Sequence, residues 1–469
     1  MGAQQGRTCP KQMAWRTTHQ VHDGMMRPFS GPSALRISTA LYHFRESLFA
    51  LPALVLVGGI ALAEVTAYLD DVIGVDTSLP LTLEMNSNAA TWLLSTVAGA
   101  TITTAGVVFS LTVVSLQLAS SQFSPRVMRS FIRDRLSQSV IGLLVGTFVF
   151  CVLTLRHISG DPMSNAPRVS MTAAVVLAVV TVLLIIAYLN RLAYGLQVGE
   201  VVRTIAAEAD TVIDEQARQT RMETPAPHPP APGTGEHLTV HAGSDGWVTQ
   251  SASRYILAAV PPATVVRLET RTGAYIHQGE VLMTLWPKPA DPDRVERKLM
   301  STVEVADIRT MQQDVDFGIR QLVDIALRAL SPAINDPTTA ADVMLRLGSM
   351  MRKLLTADMP PPAVCGPDDR ILLRPWDLSH EEYVAHAFDQ IRQSSVGQPN
   401  VVATVLRVLR MLIAHAHNEH CEEYVPALRR QIELLMDAMA AQADLHPADL
   451  ERLRAISRET APDPAEHDV

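Results

Sequence analysis

The chain has 469 residues, a formal net charge of −9, 19% charged residues and a mean hydropathy of +0.14. That hydropathy is too high for an ordinary soluble protein, yet the charges are too frequent for a chain lying wholly in lipid. The composition points to a membrane block joined to a water-facing block, and an acidic balance without a concentrated basic face argues against nucleic acid as a partner.

The first two dozen residues are polar and unpatterned, residues 1–40 are expected to form a disordered cytoplasmic N-terminus, and translation could start at Met25 or Met26. Cys9, Cys151, Cys365 and Cys421 lie far apart, with no paired spacing, which suits a reducing compartment for the water-facing part. Between Met85 and Pro125 there is no Asp, Glu, Lys or Arg. A helix needs about 20 such residues to cross a bilayer. Four spans are expected, at residues 47–69, 90–118, 136–155 and 169–190, within a membrane domain of residues 41–193. Backbone amides in lipid must bond internally, so each span is read as a helix. Glu64, in the first span, is read as reaching water from near the helix end.

Loop charges set the orientation. Arg27, Arg36 and Arg45 precede the first span; Asp70, Asp71, Asp76 and Glu84 follow it without a basic residue. The second loop holds Arg126, Arg129, Arg133 and Arg135 against Asp134 alone, and Arg191 and Arg203 follow the last span. By the positive-inside rule both termini are cytoplasmic. Arg126, Arg129 and Arg133 fall on one side of a short helix, suited to lipid headgroups.

The second span carries Ser95, Gly99, Thr103, Gly106, Ser110 and Gln117 on one helical stripe. Small residues and hydroxyls in that pattern serve close helix packing or line a polar pathway. Both readings stay open.

Beyond the membrane domain, a connecting helix is expected at residues 194–223, with a seam of Val198, Val202, Ile205, Ala209 and Val212. TPAPHPPAPGTG then makes a stiff linker over residues 224–236. Residues 237–290 alternate β-like runs with Gly turns and resemble the small barrel-sandwich modules of biotinyl and lipoyl domains. No lysine stands at the turn where such modules carry a cofactor, so no cofactor is expected. Residues 291–460 read as an all-α domain, with a Pro-rich loop at 359–370 and a tail at 461–469. One helix runs over 314–330, and Asp336-Pro337 starts the next as N-cap and first helical residue. The expected fold is therefore an α-helical multi-pass membrane protein of four spans, with a cytoplasmic barrel-sandwich-like module and an all-α C-terminal domain.

Two blocks carry a family resemblance: ATITTAGVVFSLTVVSLQLASSQFSPRVMRSFIRDR (100–135) and FGIRQLVDIALRALSPAINDPTTA (317–340). Both resemble the bacterial family of predicted membrane proteins called domain of unknown function 2254. The resemblance implies a multi-pass inner-membrane protein and brings no substrate or reaction.

Candidate chemistry is sparse. The block Ser331 to Ala340, with Asp314, Asp316, Arg320 and Asp324 before it, is the best water-facing candidate: Asn335 and Asp336 could bind a ligand or ion, the helix N-terminus favouring anions, or simply cap the helix. His417, His420 and Cys421 have ligand-compatible spacing without a second cluster, so a metal is not expected. No phosphate-loop, dinucleotide, GxSxG or HExxH motif occurs, which argues against an enzyme of those kinds. Two functional readings follow. One is a homo-oligomeric channel or transport protein with a cytoplasmic regulatory region. The other is a membrane-anchored protein that binds a cytoplasmic ligand or protein partner without transport.

Overall fold

Length and apolarity decide where the first helices form. In a computed structural model describing residues 49–73, 83–122, 135–158, 166–195, 197–226 and 235–458, they are α1 (Ala50–Ile73), α2 (Ser87–Gln122), α3 (Arg135–Leu155) and α4 (Arg168–Gly195). Each is long and apolar enough to cross a membrane, as is a fifth helix, Pro399–Asn418. The chain is mostly helical and divides into two compact units, one of residues 39–201 and one taking in everything from Val202 onward.

In the first unit α3 is the hub, packed against α1, α2 and α4. Glycines make the α1–α3 approach possible: a Cβ at Gly59 would come within 2.7 Å of the Gly146 carbonyl oxygen, and one at Gly142 within 3.0 Å of Pro52. Buried hydroxyls tie the remaining helices, Thr112 to Tyr188 at 2.9 Å and Thr147 to Thr181 at 3.3 Å. Asp70, near the end of α1, accepts from the backbone amides of Val169 and Ser170 at 2.8 and 2.9 Å. It also accepts the Ser170 hydroxyl at 2.6 Å, so a residue counted as a loop charge caps α4.

The second unit begins along α5 (Val198–Met222), whose buried seam is Val202, Ile205, Ala209 and Ile213, with Val212 beside it. Next come β1 (Thr224–Pro225), β2 (Leu238–His241), β3 (Gly246–Ser251), α6 (Ser253–Ala259), β4 (Val265–Leu268), β5 (Tyr275–Ile276) and β6 (Val281–Trp286). They lead into α7 (Pro292–Met300) and β7 (Val303–Ala306). The helical stretch follows: α8 (Val315–Ala329), α9 (Pro337–Leu355), β8 (Ala363–Cys365), β9 (Ile371–Leu373), α10 (His380–Ser394), α11 (Pro399–Asn418), α12 (Val425–Ala440) and α13 (Pro447–Arg458).

Two open sheets form among the described residues, ordered β1-β8-β9-β4-β6-β2 and β5-β3-β7. Neither closes into a barrel. Three of the six strands of the larger sheet come from outside residues 237–290, and β8 lies in the stretch read as a Pro-rich loop. A three-residue strand carries too little local pattern to be read; β8 exists because β1 and β9 pair with it. Inward residues of both sheets, including Val248, Val266, Leu268, Ile276, Leu285 and Leu372, share one core with Ile256 and Leu299 of the short helices. Among the cysteines, Cys151 and Cys421 are free, whereas Cys365 is disulfide-bonded, against the expectation of unpaired thiols.

Candidate functional site

The N-terminus of α8 gathers the most buried charge in the second unit. Asp314 is its N-cap and accepts from the Phe317 amide at 3.2 Å; Asp316 follows in the first turn, where the helix dipole favours a negative group. The segment between β7 and α8 supplies Arg309, whose Nε meets Asp314 at 2.6 Å and whose Nη2 donates to Asp316 at 2.8 Å. The Arg309 guanidinium lies over the rings of Trp247 and Phe317, 5.3 and 5.5 Å from their centroids. Arg320, one turn along α8, approaches Asp316 at 3.6 Å. Gly273 belongs to this arrangement: its φ is +82°, and a Cβ there would strike the Asp314 carboxylate.

The other Asp316 oxygen takes Nδ1 of His386, on α10, at 2.7 Å. Burial opposes ionisation of Asp316, whose side chain is 2% exposed. Hydrogen bonds from His386 and Arg309 outweigh that burial and hold the carboxyl well below the usual carboxylate range. An ionised Asp316 can only accept, so His386 donates from Nδ1, and Nε2 is the ring nitrogen left over.

His386 lines an open cavity of about 510 Å³. Its walls come from the β4–β5 connection (Glu269, Thr270, Arg271), from β5 and the turn before β6 (Tyr275, Glu280), and from the approach and first turn of α10 (Trp376, Glu382). That volume lies in the range of small-molecule sites. A capping box of Ser379 and Glu382 fixes the start of α10, and with it one wall.

Other residues singled out in the sequence fall as follows. Asp336 caps α9, accepting the Thr339 amide at 3.0 Å and its hydroxyl at 2.6 Å; the hydroxyl bond above all holds its carboxyl below the usual carboxylate range. Asn335 sits at φ +47° and accepts from Gln398 at 2.8 Å. Arg320 turns to Asp316, and Asp324 lies half-buried further along α8. His417 pairs with Glu422 at 2.7 Å, His420 has φ +58°, and the Cys421 thiol points to the Glu419 carbonyl oxygen at 3.5 Å. Among the described residues no three such side chains are placed to hold a metal. Ser95, Gly99, Thr103, Gly106, Ser110 and Gln117 are all exposed. The face of α2 turned to its neighbours is instead Leu94, Ala98, Thr101, Ala105, Val108 and Thr112. Arg126, Arg129 and Arg133 lie outside the described residues. Arg309, Arg271 and His386 escape a sequence reading, because only the fold joins them to Asp314 and Asp316.

The model of the family described as "Predicted membrane protein (DUF2254)" matches residues 45–411, a range holding all four leading helices and the cavity. An uncharacterised protein of Mycobacterium bovis is 30% identical over 370 residues, which cover 75% of this chain and 68% of that protein. An uncharacterised protein of Mycobacterium tuberculosis matches to the same extent. No solved structure is significantly similar to the chain. By the extent of the family match and the two mycobacterial relatives, this chain belongs to the DUF2254 family of predicted membrane proteins.

Proposed function

We propose that this chain is a membrane-anchored, ligand-binding protein: the helices α1 to α4 hold it in the bilayer, and the unit after Val202 binds a small molecule in the His386 cavity. One observation carries the reading. A cavity of about 510 Å³ is backed by a histidine whose orientation is fixed by a buried, ionised aspartate, itself held by two arginines. A buried ionic cluster costs desolvation and adds little net stability, so its place behind a cavity wall supports a binding role.

In this reading there are four spans, not five. The helix α11 carries Arg407 and Arg410 along its length and packs against α9, α12 and α13, which suits the core of a water-facing unit. The loop arginines support a cytoplasmic position for that unit at a bacterial inner membrane. A disulfide at Cys365 is uncommon in a reducing compartment. Labelling of the free Cys421 thiol by an impermeant maleimide in sealed cells therefore tests the side directly; labelling without permeabilisation would overturn it. For the ligand, thermal unfolding of the full chain in detergent is followed against a panel of amines, carboxylates and phosphates. Ligand at 100 times its Kd stabilises by about 2.7 kcal/mol. We expect such a rise for one class, lost in His386→Ala; a flat response to every class would refute binding.

A second reading, transport along an interface between copies, is favoured by what α1 and α2 turn outward. The whole small-residue stripe of α2 is exposed, and Gly99 and Gly106 have nothing within 4 Å of a built Cβ. Glu64 is also exposed, six residues or about 9 Å along α1 from Asp70, and an ionisable group there is a candidate for function. Ion flux into liposomes that survives in wild type and fails in the Thr103→Ala, Ser110→Ala double variant supports this reading; no flux across ions and voltages removes it.

A further inference from the structure

We infer that the cavity takes an organic cation, an amine or quaternary ammonium; this rests on the ligand-binding reading above and names its ligand class. Charge is the first argument. Three carboxylates line the cavity, Glu269, Glu280 and Glu382, against Arg271 and His386. Of the three, Glu269 is committed, meeting Arg267 at 3.4 Å and accepting the Thr284 hydroxyl at 2.9 Å. Glu280 and Glu382 bond only to uncharged donors among the described residues. Glu280 accepts the His277 amide at 2.8 Å, and Glu382 accepts the amide and hydroxyl of Ser379. The positive groups are turned inward instead. Arg271 donates to the Thr272 carbonyl at 3.1 Å and acts electrostatically on the buried Asp314 and the half-buried Asp377, while His386 gives Nδ1 to Asp316. The positive end of α10 is already answered by its capping box. Two carboxylates without a cationic partner among the described residues therefore face the cavity, against one arginine and a histidine already bonded to Asp316.

Aromatic surface is the second, independent argument. Tyr275 is 47% exposed and Trp376 is 53% exposed, and both line the cavity. Every other Tyr, Trp and Phe among the described residues from 235 to 458 is buried or half-buried. Tyr275 meets the rings of Trp247 and His277 edge-on at 5.3 and 5.1 Å and keeps the rest of its surface open; a cation over such an open face gains about 0.5–1 kcal/mol, rising to about 2 when desolvated. Aromatic faces and unmatched carboxylates around one cavity suit a group that is positive and apolar together. An anion would meet two repelling carboxylates against the single arginine of the lining, Arg271.

The test uses the full chain in maltoside micelles, titrated calorimetrically with tetramethylammonium and spermidine, and in parallel with glutarate and inorganic phosphate. We expect saturable binding of at least one cation, weakened about tenfold or more in the Glu280→Gln, Glu382→Gln double variant and in Trp376→Ala. Gln serves a capping box as Glu does, so the double variant should unfold at the wild-type temperature. Cation binding that persists unchanged in both variants overturns the assignment. Saturable anion binding that disappears in His386→Ala would keep the ligand-binding role and overturn the cation. Failure of all four probes would remove both.

Discussion

Asp316→Asn is the substitution on which the charged centre stands or falls. The side chain keeps its shape, but Arg309 loses its charged acceptor at 2.8 Å and His386 loses one at 2.7 Å, at a place 2% exposed. Breaking a buried ion pair by removing one partner costs about 3–5 kcal/mol, because the other charge stays buried. Asp314 still holds Arg309 at 2.6 Å, which puts the expected loss at the lower end, about 3 kcal/mol. At roughly 2–4 °C per kcal/mol for a unit of this size, the melting temperature should fall on the order of 10 °C. The loss should also depend on pH in one direction. Asp316 is held below its ordinary value of 3.8 in the folded state. Its stabilisation is therefore fully present above about pH 4–5 and fades as the pH falls toward the folded value. Melting followed by circular dichroism from pH 2 to 7.5 should show the gap between wild type and variant narrowing below about pH 4. A drop under 2 °C at neutral pH, or a gap that stays constant with pH, would refute the argument.

His380 should make the second unit acid-sensitive in a different window. Burial pushes it from 6.5 down to about 4, against a smaller opposing pull from Glu423, and its Nε2 has no partner among the described residues. The unfolded chain takes up that proton first, so stability should drop between pH 6.5 and 4, and His380→Phe, which keeps the ring contact with Tyr424 at 3.9 Å, should flatten that part of the profile in melting experiments. In the membrane unit, Gly59→Leu should cost about 1–3 kcal/mol by overpacking the α1–α3 contact. By contrast, Gly99→Leu, which meets nothing within 4 Å inside the chain, should leave monomer melting in detergent unchanged.

The membrane helices are legible in the sequence because length and apolarity are summed over 20 or more residues, and one errant side chain does not change the sum. Their mutual contacts are less so. The α2 stripe attracts notice as small residues, yet the close approach uses Gly59, Gly142 and Gly146 on α1 and α3, where glycine is diluted among Val and Leu. Helix starts at Asp314 and Asp336 are legible because the cap and the following Pro or amphipathic run are local signals. The same logic explains why Asn335 and Asp336 invite a ligand reading but spend their bonds on Gln398 and Thr339. The charged centre is not local. Asp316 and His386 are 70 positions apart, and Arg309 lies in a stretch with no helical or strand pattern. Short strands such as β7 and β8 fail for a related reason: three or four residues acquire their identity from partners that periodicity does not show.

The parallel pairing of β4 with β9 ties Val265, Val266 and Arg267 to Ile371, Leu372 and Leu373, across α7, α8 and α9 in the chain. During synthesis the first of these strands leaves the ribosome long before its neighbour exists, so one margin of the sheet waits uncovered while the intervening helices are made. A product stopped short of Ile371 would keep that margin bare, and bare strand margins recruit other chains. Premature termination anywhere in α8 or α9 should therefore yield sticky fragments that aggregate, whereas release after Leu373 gives the sheet its own neighbour.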